Sequence, residues 1–222
     1  MTTGHMVEVG TTHGTLQGYL AGAGPNKPGL IVIQEWWGLV PHIKSIADRL
    51  ALAGYIAIAP DLYHGKSTVA EEEAKHLLNG LDWTRAIDEL IGAATYLRQQ
   101  QHVPSVGVVG FCVGGALAVL AAARPEVNAY VPFYGFPPQE PSEVGVPGLF
   151  FFGADEDHFP VPKAQAFAER QRERRVPTDV VIYPDAGHAF FNDTRPEKYR
   201  RTAAIDAWNR TLDFFRLHLP KA

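Results

Sequence analysis

An α/β fold, with a mostly parallel central sheet and helices on both faces, is what this chain predicts. Three observations carry that reading. The apolar, β-branched runs at 29–34, 55–59 and 106–109 lack the polar alternation of a half-exposed strand, so they read as strands buried on both faces. Segments with helical spacing follow such runs, and strand and helix then alternate to the end of the chain.

Taken in order, 29–34 is the first buried strand, and 43–52 is a helix with apolar residues at Ile43, Ile46, Ala47 and Leu50, closed by Gly54. The strand 55–59 stops at Pro60-Asp61. A polar region, 63–80, leads to a helix that Asp82 is placed to cap, with Ile87, Leu90, Ile91, Ala94 and Leu97 on one face. Strand 106–109 and a small-residue helix at 116–123 come next. Strands are then expected at 129–133, 148–152 and 179–183, with helices from about 162 and about 196. The Pro-rich stretch 136–147 reads as a surface loop, because no complete core lies beyond it. The expectation is one domain over 1–222, with no large lid domain.

Composition narrows the function. A net charge of -4 leaves no basic footprint for nucleic acid. One cysteine excludes an internal disulfide and any paired-cysteine zinc pattern. No apolar run approaches a membrane span. The stretch 1–10 has no basic region followed by an apolar core, so no secretory signal is expected. A cytoplasmic location follows by default.

That lone cysteine stands in Gly110-Phe111-Cys112-Val113-Gly114-Gly115, between the strand 106–109 and the helix. A small-x-Cys-x-small turn from strand to helix is a nucleophile elbow with sulfur in place of the usual serine oxygen. The flanking glycines suit a strained turn where a Cβ would collide with neighbouring backbone. The helix behind it aims free N–H groups at the sulfur and favours thiolate.

In sheets of this kind, ligands sit beyond the carboxyl ends of the strands. Asp157 follows the strand 148–152, and His188 follows the strand ending at Tyr183. Cys112, Asp157 and His188 then supply, in that order, the nucleophile, acid and histidine that acyl-transfer chemistry needs. Asp155 is the alternative acid, and Asp157 could instead cap the helix that follows. A metal at this acidic run with His158 is disfavoured, because a hard cation needs more ligands than the run supplies. Glu35 ends the strand 29–34 ahead of Trp36-Trp37-Gly38, where an oxyanion-hole loop belongs. The N–H groups of Trp36 and Val113 would hold the oxyanion.

With these residues in view, the chain resembles the dienelactone hydrolases (carboxymethylenebutenolidases) of the α/β-hydrolase fold. The matching motifs are Gln34-Glu35-Trp36-Trp37-Gly38, Ala59-Pro60-Asp61-Leu62-Tyr63, the elbow from Gly107 to Gly115, Asp157-His158-Phe159 and Ala186-Gly187-His188-Ala189-Phe190. They occur in the family's order and cover nearly the whole chain. The resemblance implies Cys112 as nucleophile, His188 as base, Asp157 as its orienter, and Glu35 as the carboxylate that contacts the resting thiol and helps to form thiolate.

It also implies arginines for a substrate carboxylate, one of them four positions after the catalytic histidine. That position is Asn192, and 76–83 has no arginine before Arg85; Arg195 is the candidate substitute, but nothing in the sequence places it in the pocket. A carboxylate without a guanidinium loses its strongest partner. Trp36, Trp37, Tyr63, Trp83, Tyr134 and Phe159 suggest an aromatic pocket suited to neutral esters or lactones, with Asn192 beside it. The expectation is a cofactor-free, metal-free ester or lactone hydrolase acting on a small molecule, as a monomer or small homo-oligomer. The rival enzyme reading is hydrolysis of thioesters or activated phosphoesters on the same triad. A thiol redox sensor is weakened by the lack of a resolving cysteine. A non-catalytic binding protein is weakened by the intact set of Glu35, Cys112, Asp157 and His188.

Overall fold

Eight strands form one sheet in this computed structural model, which describes residues 4–219, so that the first three residues of the 1–10 stretch lie outside it. The parallel part is β3 (Gly29–Ile33), β4 (Ile56–Pro60), β5 (Val106–Phe111), β6 (Ala129–Phe133), β7 (Gly148–Asp155) and β8 (Thr178–Gly187). The hairpin β1 (His5–Thr11) and β2 (Gly14–Ala21) adds an antiparallel edge. The order across the sheet is β1-β2-β4-β3-β5-β6-β7-β8. Helices α1 (Pro41–Leu52), α2 (Glu71–Asn79), α3 (Trp83–Gln100), α4 (Val113–Ala121), α5 (Val161–Glu173) and α6 (Arg201–His218) complete the chain.

The buried strands behave as their composition requires. Every residue of β3, β4, β5 and β6 is buried, which is possible only with helices over both faces. Asp82 caps α3, accepting from the Arg85 N–H at 3.1 Å. Three elements depart from the sequence reading. The edge hairpin was not expected, because its alternation is broken by glycines and threonines. Helix α2 lies inside the polar region, where only Ala74 and Leu77 are buried, too thin a stripe to register as amphipathic. The last helix begins at Arg201, not about 196, because 190–200 winds through turns instead.

The ends of β5, β6 and β8 meet around an aromatic cluster. Phe133 lies 4.8 Å from Phe111, 4.8 Å from Phe151 and 4.9 Å from Phe191, centroid to centroid. Contacts in this range contribute about 0.5–1.5 kcal/mol each beyond burial. This packing fixes the strand ends that carry the polar residues above them.

Candidate active site

Cys112 sits at the turn from β5 to α4 with φ 57° and ψ -119°, a left-handed conformation that costs about 1–3 kcal/mol for a non-glycine residue. The packing around the turn enforces it. A Cβ on Gly110 would stand 1.9 Å from the Gly114 carbonyl oxygen, and one on Gly114 would stand 2.4 Å from the Gln34 carbonyl oxygen. The elbow therefore closes only with glycine at both places. Tyr134 and Ala189, just after β6 and β8, also have positive φ, 38° and 63°. Three positive-φ residues thus border the candidate site, as strained backbone often does at functional sites.

His188 follows β8, with its side chain 10 % exposed. Both oxygens of Glu156 reach its Nδ1, at 2.9 and 3.0 Å. Burial pushes the imidazole's pKa down, but hydrogen bonds to Cys112 and Glu156, and the negative charge of both, raise it to about 10. At neutral pH the imidazole carries its second proton.

The acid beside His188 is therefore Glu156, which corrects the expectation of Asp157. Asp157 is bonded to Nδ1 of His158, and both side chains are at least half exposed. Asp155, the alternative, is also exposed. The cause is a register shift between Gly153 and Asp155 where β7 pairs with β8. An irregularity of this kind re-aims the side chains beyond it, and here the Glu156 carboxylate is fully buried. Three consecutive acids gave the sequence no way to choose among them.

Glu35 is buried and held by two neutral donors. The Tyr134 hydroxyl donates to Oε1 at 3.1 Å, and the Asn192 amide donates to Oε2 at 2.7 Å. This corrects two of the pocket expectations. Tyr134 is fully buried, with its hydroxyl on Glu35 and its ring 5.1 Å from His188. Asn192 is also buried, and its Oδ1 accepts from the Thr194 N–H and hydroxyl. Tyr63 likewise leaves the pocket: it is buried and lines a smaller neighbouring cavity.

The main cavity, about 710 Å³, is lined by Cys112, Glu35, His188, Trp36, Trp37, Trp83, Val113 and Phe159. Val113 is the first residue of α4, so its N–H has no partner within the helix. Sequence reasoning missed several wall residues: Glu71, Leu78 and Asn79 from α2, together with Pro138, Ala189 and Lys198; Arg195, the candidate substitute arginine, also lines the wall. Arg195 lies 4.8 Å above the Trp37 ring. It bonds Glu197 at 2.9 Å through Nε and Glu71 at 3.3 Å through Nη2. It stands in the turn just before Pro196, away from any periodic segment, so the sequence alone does not place it in the pocket.

Known proteins resemble this chain over nearly its whole length. The profile of the dienelactone hydrolase family matches residues 16–219. Protein usf of Aquifex pyrophilus is 36 % identical, with 97 % of this chain and 99 % of that protein aligned. An Aquifex aeolicus protein named "Putative carboxymethylenebutenolidase" is 32 % identical over 97 % of this chain and 99 % of its own length. Among solved structures, a Klebsiella pneumoniae protein described as a "Putative Dienelactone Hydrolase" superposes with a TM-score of 0.87 at 27 % identity, covering 98 % of this chain and 100 % of that one. The dienelactone hydrolase-like promiscuous phosphotriesterase P91 shares the fold, with a TM-score of 0.85 at 24 % identity over 97 % of this chain and 99 % of that one. No described helix is long and apolar enough to cross a membrane.

Proposed function

The chain belongs to the dienelactone hydrolase family, a family of hydrolases, and from that premise we propose that it cleaves neutral esters or lactones through Cys112, His188 and Glu156. The observation that carries the reading is His188, which has Glu156 on one side and the Cys112 thiol on the other, beside a cavity large enough for a small substrate. The reactive state is a thiolate–imidazolium pair. The sulfur lone pair forms the S–C bond while the carbonyl π electrons move to oxygen, where the N–H groups of Trp36 and Val113 receive the charge. Collapse breaks the C–O bond, and the leaving alkoxide takes the proton from His188. Water then attacks the thioester as His188 accepts its proton, the C–S bond breaks, and the acid and thiolate are released.

The neutral-substrate preference rests on Arg195. The cavity holds that guanidinium, but Glu71 and Glu197 already engage it and Trp37 covers one face. A substrate carboxylate would meet a guanidinium whose charge two acids already offset. Catalysis by a free thiol also suits a reducing compartment, hence the cytoplasm.

The test is a screen of nitrophenyl esters of increasing acyl length beside dienelactone and a phosphotriester. Intact mass spectrometry would look for an acyl adduct that is absent in Cys112→Ala. Retention of more than about a tenth of wild-type turnover in Cys112→Ala would overturn the assignment, since nucleophiles matter by orders of magnitude. A dienelactone specificity constant well above that of neutral esters would overturn the preference.

A further inference from the structure

One nitrogen each of His158 and His188 and one carboxylate oxygen of Glu156 all lie within 4.8 Å of one another. Two imidazoles and a carboxylate are the donor set of a borderline transition metal, of which zinc is the commonest. Tetrahedral zinc, with bonds of about 2.0–2.1 Å, needs its ligands roughly 3.3 Å apart, so the cluster must close and His158 must turn out of its stack on His188, because the in-plane lone pairs of near-parallel rings do not converge. That movement is available because the His158 side chain is half exposed, stacked on His188 at 4.3 Å between centroids and tied otherwise only to the exposed Asp157. His158 is also prepared as a ligand. Asp157 holds its Nδ1 and leaves Nε2 free, the carboxylate–histidine pairing that orients metal ligands and raises their basicity.

We propose that His158, His188 and Glu156 bind a zinc ion that reversibly blocks the site. The ion takes the place of the proton on His188 and draws Glu156 away from its role at Nδ1. One coordination position stays open toward the cavity and is filled by water. In this arrangement Asp157 and His158, which the hydrolytic reading does not use, are a metal-binding arm over the imidazole. The inhibition rests on the proposed role of His188; the binding does not.

The experiment is calorimetric titration of the untagged, full-length protein with zinc sulfate, with magnesium as control, alongside esterase assays in the same buffer. The expected result is one zinc per chain, no magnesium binding, and inhibition that tracks occupancy and is reversed by chelator. Each variant is compared with its own metal-free rate. His158→Ala should weaken zinc binding and inhibition at least tenfold or so, and Asp157→Asn by about tenfold, the usual scale for a carboxylate behind a ligand. Zinc binding should survive in Cys112→Ala, because the thiol is not a ligand. Absence of stoichiometric zinc binding, equal affinity in His158→Ala, or loss of binding in Cys112→Ala would each overturn the site. Zinc bound as expected without inhibition of an active esterase would remove His188 from the ligand set. A protein with no esterase activity at all would sink the hydrolytic reading, while the calorimetry would still judge the metal site. His158 and Asp157 are exposed and Cys112 is buried, and circular dichroism checks that all three variants fold.

Discussion

Exchanging Glu156 for glutamine tests the corrected acid most directly. Two oxygens at 2.9 and 3.0 Å from Nδ1 of His188, on a fully buried side chain, make this the carboxylate that fixes the imidazole's tautomer and charge. Glutamine keeps the shape and loses the charge, and its amide N–H₂ can face Nδ1 only if the ring adopts the wrong tautomer. Comparable exchanges in other triads lower kcat by about 10⁴, so a loss of about 10³–10⁴ is expected here. That equals roughly 4–5.5 kcal/mol of transition-state stabilisation at 1.36 kcal/mol per decade. Asp157→Asn changes a residue whose side chain is 72 % exposed and whose partner is His158, and it should leave kcat within about threefold, as surface changes usually do. Steady-state kinetics on a nitrophenyl ester would be read beside NMR titration of His188, whose pKa should drop in Glu156→Gln and hold in Asp157→Asn. A hundredfold loss in Asp157→Asn with near-normal turnover in Glu156→Gln would refute the argument and return the role to Asp157.

Asn192→Ala should strand a buried oxygen of Glu35 without its 2.7 Å donor, costing about 1–3 kcal/mol; a melting curve identical to wild type would show that the amide is dispensable. Glu35→Gln should lower turnover and alter the pH dependence of Cys112 alkylation, and no change in either would reduce Glu35 to a structural acid. His188 makes stability pH-dependent with a definite sign. Its folded value, about 10, lies above the ordinary 6.5, so its stabilisation is complete below about pH 6.5 and fades as pH rises through about 10. Denaturation midpoints that climb between pH 7 and 10 would contradict this, and the slope should shrink in His188→Ala.

Much of the protein was legible in the residues themselves. Buried strands declare themselves by apolar runs, and 129–133 is bounded as observed because both faces of β6 need the same kind of side chain. The elbow at Cys112 was legible because only glycine fits 1.9 Å from a carbonyl oxygen, so steric need writes itself into composition. His188 followed from its place just past a strand. What the residues could not decide was direction. Asp155, Glu156 and Asp157 are chemically interchangeable on paper, and the register shift in β7 turns one of them inward. Tyr63, Tyr134 and Asn192 carry the right groups for a pocket, yet packing buries all three and sets two of them on Glu35. Arg195 and Lys198 reach the cavity through turns that no periodicity announces. Local composition encodes which backbone shapes are allowed and which surfaces avoid water; where a side chain finally points depends on contacts with residues distant in the chain, and those exist only once the sheet has assembled.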